Sequence, residues 1–176
     1  VFLDYLRSQG EYTFSTDDYY QYSKKSLIAV RAAIRRAGER GQIATPYRGF
    51  HVIVPPEYTA IGCLPAERFI AKLMSYLNEP YYIGLLTAAA YYGAAHHAPQ
   101  EFQVVVKKGR PKLQAGKVKI TFIARKDLEK MSVAERKTSD GMIRVSSPEL
   151  TAFDLVVYSH HCGGLDNVAT VLAELA

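Results

Sequence analysis

The residue types able to perform chemistry are few in this chain, and they are badly spaced for it. His96-His97 and His160-His161-Cys162 invite a metal reading. Adjacent histidines on a helix point in different directions, however, and neither set has the spacing of a zinc finger or knuckle. Both stand at expected helix ends, where a histidine satisfies terminal carbonyls. Cys162 beside histidines has the composition of a nucleophile pair, but no loop offers an oxyanion hole and no acid orients a base. A nuclease would want a carboxylate followed by Glu-x-Lys on neighbouring strands. The nearest match, Asp127-x-Glu129-Lys130, reads as one helical turn with local charges. Gly109, Gly116 and Gly141 are isolated turn residues, not a phosphate-cradling loop. The expectation is therefore a protein that is not an enzyme and uses no metal or cofactor.

What the sequence does concentrate is positive charge among small side chains. From Ser23 to Pro55 it reads as a basic helix running into a short hairpin. Ser23 is the expected N-cap, its hydroxyl accepting a backbone N–H of the first turn. Leu27, Val30, Ile34 and Ala37 recur at spacings of three and four and form the expected core face. Lys25, Ala29, Ala32 and Arg36 lie opposite, flanked by Lys24, Ser26, Arg35 and Arg40. Such a face approaches a polyanion closely and then grips it, as a helix in a DNA major groove must. Gly41 ends the helix, Gln42–Thr45 and Phe50–Val54 read as strands, and 46–49 make the turn. Tyr47 and Arg48 fall at its tip, where a wing meets a phosphate or a minor groove. Lys25 and Arg36 are assigned to the groove, Ser23 and Lys24 to phosphates, and Arg48 to the wing contact.

The elements around this stretch complete a module. Val1–Gln9 is a short helix with Phe2, Leu3 and Leu6 inward. Ser15 or Thr16 caps a second helix, with Asp17 and Asp18 well placed in its first turn. Three helices and a hairpin in about 55 residues have the order of a winged helix-turn-helix. With 176 residues the chain has room for one large domain or two small ones. A charged fraction of 22% and a hydrophobic fraction of 48% speak against general disorder. The net charge of +5 suits an anionic partner. Two distant cysteines without disulfide or metal spacing favour a cytoplasmic setting, and no apolar run reaches membrane-spanning length. Starting at Val1 and stopping inside an expected helix, the sequence reads as trimmed or incomplete at its C-terminus.

The second part reads as α+β. Residues 57–65 are the expected linker. Ala66–Asn78 is an amphipathic helix presenting Phe69, Ile70, Leu73, Met74 and Leu77, and Tyr82–Ala95 an alanine-rich one. Val104–Val106 and Lys117–Ile123 are strands. Asp140-Gly141 joins two more in a hairpin. Ser147-Pro148-Glu149 starts a helix that should bury Leu150, Phe153 and Val157. A last helix carries Val168, Val171, Leu172 and Leu175. The expected architecture is a winged helix-turn-helix over 1–56 and, over 66–176, an α+β domain with an antiparallel sheet packed by helices. A second basic cluster, Lys107, Lys108, Arg110, Lys112, Lys117, Lys119, Arg125 and Lys126, reads either as a solvated sheet face or as an auxiliary nucleic-acid surface. Asp154 should pair locally with a cation or a backbone N–H.

In order and spacing the segments resemble the AbiEi-type antitoxins of type IV (abortive-infection) toxin–antitoxin systems. The likeness rests on Arg48-Gly49-Phe50 followed by Val54-Pro55-Pro56-Glu57-Tyr58, on Tyr81-Tyr82-Ile83-Gly84-Leu85-Leu86 leading to Tyr92-Gly93, and on Ser147-Pro148-Glu149 with Thr151 and Asp154. Where the family pattern has arginine after that glutamate, this chain has Leu150, so one expected ion pair is missing. The resemblance implies a winged helix that binds inverted repeats in its own promoter and represses it. It further implies a C-terminal domain that counters a nucleotidyltransferase-type toxin. Two alternatives stand beside it: a winged-helix scaffold for protein contacts without specific DNA binding, and an unrecognised nucleic-acid enzyme.

Overall fold

The computed structural model describes residues 1–94 and 99–176, so His96-His97 lies outside the described residues. The fold is mixed α and β, in two compact units: Val1–Tyr76 with Leu113–Val118, and Leu77–Lys112 with Lys119–Ala176.

The first unit begins α1 (Phe2–Ser8), β1 (Thr13–Ser15), α2 (Thr16–Ser23), α3 (Leu27–Glu39), β2 (Ile43–Tyr47) and β3 (Phe50–Ile53). Ser15 opens α2 with a reciprocal cap: its hydroxyl accepts the Asp18 N–H at 3.0 Å, and the Asp18 carboxylate accepts the Ser15 N–H at 2.7 Å. The cap of α3 is Ser26 and not Ser23, its hydroxyl accepting the Ala29 N–H at 3.2 Å. Ser23 instead closes α2, because Lys24 takes a left-handed φ of 54° that ends that helix. The shifted start moves Leu27 out of the core. It is 40% exposed, and Val30 is the first α3 residue to be buried.

β1, β3 and β2 form an antiparallel sheet in that order, β1 being a strand the sequence pattern did not reveal. The β2–β3 hairpin turns at Arg48-Gly49, two residues shorter than the expected turn, with Gly49 supplying a φ of +79°. Pro46, which has no N–H to give a ladder, is absorbed by a shift in register between Ala44 and Tyr47. Phe2, Phe14, Ile43 and Ile53 form the core here, joined by Leu3, Leu6, Ile34 and Ala37.

Two 3₁₀ turns and α4 (Ile70–Tyr76) follow. Phe69, Ile70, Leu73 and Met74 are buried, as their spacing required. Within 57–65, Cys63 and Leu64 are fully buried. The returning strand β6 (Leu113–Ala115) ends at Gly116, where a Cβ would lie 2.3 Å from the Ile61 carbonyl oxygen. That carbonyl accepts the Lys117 N–H at 2.8 Å.

The second unit holds β4 (Tyr81–Ile83), α5 (Leu85–Tyr91), β5 (Phe102–Val106), β7 (Val118–Ala124), β8 (Val133–Thr138), β9 (Gly141–Ser146), α6 (Pro148–Val157) and α7 (Leu165–Leu175). Its strands lie in the order β7–β5–β4–β9–β8. The sheet is mixed rather than antiparallel: β4 with β5 and β8 with β9 run antiparallel, while β4 with β9 and β5 with β7 run parallel. The single helix expected over 82–95 is replaced by a central strand and a shorter helix. Tyr81-Tyr82-Ile83 is buried throughout, and these three residue types suit a pleated, packed surface better than a helix.

The expected hairpin forms, but it turns at Ser139-Asp140, with Gly141 already paired to Thr138. The Ser147 cap of α6 forms as expected, accepting the Leu150 N–H at 3.2 Å. The buried face of α6 differs from the expected one. Leu150, Thr151, Asp154 and Leu155 are inside, while Phe153 and Val157 are 56% and 48% exposed. The polar pair faces inward because partners await it: Thr151 bonds Ser146 and Ser147, and Asp154 meets Tyr82 and Arg125. Leu150, at the position where the family pattern has arginine, joins the apolar core around Tyr82, Leu85, Val105 and Val168.

Candidate nucleic-acid interface

The structure brings most of the sequence-assigned residues of the first unit together. Tyr19, Ser23, Lys25, Ala29, Ala32 and Arg36 line one shallow groove of about 200 Å³. Lys24, Lys25, Ser26, Arg35, Arg36, Arg40 and Arg48 are exposed, and Ser23, Ala29, Ala32 and Tyr47 are half-buried. Arg36 and Arg40 also border a neighbouring groove floored by Phe14, Tyr19, Ile34 and Ile43. Arg35 pairs with Glu39 at 3.4 Å, but both side chains are well exposed and such a pair yields readily to a phosphate.

Two residues escaped the sequence reading. Ile28 is 81% exposed, and Arg31, one turn further on, is exposed as well. With Arg35 they make a solvent stripe one position round from the expected face. Taking Ser26 as the cap would have revealed it, since Ile28 then falls in the first turn, facing away from Val30.

The hairpin beside α3 is braced from within. His51 on β3 is buried, its Nε2 bonded to Thr16 Oγ1 and its Nδ1 to Thr45 Oγ1, both at 2.9 Å. Burial pulls its pKa down to about 4, so at neutral pH it is an uncharged clamp between α2 and β2. Arg48 is left exposed at the hairpin tip.

Half of the second basic cluster is neutralised on the spot. Lys107 meets Glu129 at 2.6 Å, Arg110 meets Glu79, and Lys112 meets Glu101. Bonds from Lys112 and Thr121 hold the Glu101 carboxyl below its ordinary value. Lys108, Lys119 and Lys126 are exposed, as is Lys117 in the first unit. Arg125 does not belong to this surface. It is 9% exposed and donates to Asp154 and, at 3.0 Å, to Asp127.

Asp154 is fully buried, accepting from Tyr82 Oη at 2.6 Å on one oxygen and from Arg125 on the other. Burial raises its carboxyl, and the Tyr82 and Arg125 bonds pull it back only in part. Burial opposes the Arg125 charge as well, but Asp154 and Tyr82 more than offset it. The ion-paired form is the one the geometry fits, because Tyr82 and Arg125 each donate to one of the two Asp154 oxygens, leaving both to act as acceptors.

The remaining candidates do little chemistry. Cys63 and Cys162 are buried free thiols, pushed by burial up to about 12 and about 11, which keeps them from ionising at neutral pH. Asp127, Leu128, Glu129 and Lys130 form a short turn, with Asp127 and Glu129 engaged by Arg125 and Lys107. Among the described residues, no group of three His, Cys, Asp or Glu side chains is placed to hold a metal ion. Nor is any described helix long and apolar enough to cross a membrane.

Comparison with known proteins adds one firm result. No curated protein matches the chain. A solved structure, an antigenic nucleotidyltransferase-like protein from Paracoccidioides brasiliensis, is similar at 12% identity and a TM-score of 0.43. The match covers 61% of this chain and 71% of that one, and is too loose to carry an argument. The model of the AbiEi antitoxin C-terminal domain matches residues 82–176, from the buried Tyr82 through Arg125 and Asp154 to the last helix. That is more than half of the chain, which therefore belongs to the AbiEi antitoxin family.

Proposed function

We propose that the chain is a DNA-binding autorepressor and antitoxin of a type IV system, acting by binding and not by catalysis. In this reading residues 1–56 are a winged helix-turn-helix, with α3 as recognition helix and the β2–β3 hairpin as wing. Residues 66–176 are read as the antitoxin domain, of which 66–76 and Leu113–Val118 belong to the first compact unit. One observation carries the DNA reading: the small and cationic face of α3 (Ala29, Ala32, Arg36), with Lys25 just ahead of the Ser26 cap, is followed in the chain by a hairpin with an exposed Arg48 at its tip. The helix–strand order α1, β1, α2, α3, β2, β3 supports it. Ser23, Lys24, Ser26, Arg35, Arg40 and Tyr47 are assigned to backbone contacts, with Arg31 added from the structure.

The antitoxin role follows from the family. The partner it implies is a cognate toxin of the nucleotidyltransferase type, met directly or through its targets, and the setting is the cytoplasm. Titration of a duplex carrying the promoter of the chain's own operon, with its inverted repeats, tests the DNA reading. Saturable binding that weakens steeply with salt is expected, and no binding above that to an unrelated duplex would refute specific repression.

A further inference from the structure

The hairpin tip is held from two sides. On one, the Thr16 N–H at the start of α2 donates to the Gly49 carbonyl at 3.0 Å. On the other, Tyr76 at the end of α4 donates its hydroxyl to the Arg48 carbonyl at 3.2 Å. The Tyr76 ring also packs against Phe50 (centroids 5.5 Å apart) and edge-on to Tyr47 (6.4 Å). All four residues of the tip thus touch Tyr76 or lie against it. Gly49 shows how close the fit is, since a Cβ there would stand 2.5 Å from the Tyr76 oxygen.

From this geometry we infer that Tyr76 is a positioning residue for the wing, fixing the Arg48 backbone so that its side chain projects in one direction before DNA arrives. The inference rests on the DNA-binding reading above. Tyr76 touches no nucleic acid in it. Nothing in the buried core requires it either, for Tyr76 is 44% exposed while Phe69, Leu73 and Met74 of the same segment fill the interior. A hydroxyl spent on a turn carbonyl at the surface has its effect on the turn. Ordering a four-residue tip beforehand removes conformational entropy that DNA binding would otherwise have to overcome.

The experiment uses the full 176-residue chain and the promoter duplex, with Y76F, R48A and the double variant. Y76F keeps the ring and removes only the donor. The expected loss of affinity is about fivefold for Y76F, with the double variant binding no more weakly than R48A alone. In the free protein, amide hydrogen exchange at 47–50 should be faster in Y76F. The wing reading itself is at fault if R48A binds like the parent chain. If R48A weakens binding while Y76F does not, or if the two losses simply add, the wing reading stands and the positioning role is overturned. Should Y76F lower the melting temperature, Y76L decides the matter: additive behaviour with R48A in both variants likewise overturns the role.

Discussion

Tyr82 on β4 and Asp154 on α6 share a 2.6 Å hydrogen bond in the interior of the second unit, with Arg125 donating to the other carboxylate oxygen. Three polar side chains from a strand, a helix and the end of β7 thereby fix one another where apolar packing alone would permit sliding. Among the described residues no buried side-chain nitrogen or oxygen lacks a hydrogen-bond partner. The pair is costly to desolvate, and its worth lies in what happens when half of it is removed.

Changing Asp154 to Ala should destabilise the second unit by up to about 3–5 kcal/mol, because it leaves the buried Arg125 charge with only the exposed Asp127 as counter-ion. Removing both charges together, as in R125M with D154L, should cost much less. Urea unfolding of the three proteins checks this. A D154A variant within about 1 kcal/mol of the parent would mean that Arg125 reaches water without its partner.

His51 gives the first unit a pH dependence of definite sign. Its folded pKa of about 4 lies below its ordinary 6.5, so the unfolded chain binds the proton more readily than the native one. The contribution is complete above pH 6.5 and is lost as pH falls from 6.5 toward 4. The loss should be on the order of 2–3 kcal/mol. Stability measured against pH for the parent and for H51Q checks it, since the slope in that window should shrink in the variant.

In the proposed DNA complex the exposed Ile28 on α3 is expected to meet a thymine methyl, the one apolar feature of the major groove. Replacing thymines of the operator by uracil, one at a time, should weaken binding at one position by about 1 kcal/mol or somewhat more. I28A should bind the methylated and unmethylated sites alike. Equal discrimination in both proteins would remove Ile28 from the readout.

Much of this arrangement was legible in the sequence where a residue's effect is local. The Ser147-Pro148 helix start, the hairpin around Asp140 and the 69–74 spacing all depend on neighbours within one turn, and they formed as read. The cap of α3 failed for a local reason too. Ser23-Lys24-Lys25-Ser26 offers two equivalent serines, and only the left-handed turn at Lys24 chooses between them. The larger differences were tertiary. Tyr81-Tyr82-Ile83 became a strand because β5 and β9 flank it, and no periodicity in so short a segment can announce its neighbours. Arg125 read as one more surface cation because its partner, Asp154, is 29 residues away. Phe153 was placed inside for the same reason, the buried face of α6 being chosen by that carboxylate.

Whether α3 and the hairpin tip grip DNA is decided by one titration. Affinity for the promoter duplex is measured at several salt concentrations for the parent chain and for R36A/R48A. Loss of the groove contact of Arg36 and the wing contact of Arg48 should weaken binding at every salt concentration and flatten the log–log salt dependence by about one unit for each contact that neutralises a phosphate. An unchanged affinity and an unchanged slope would contradict the account.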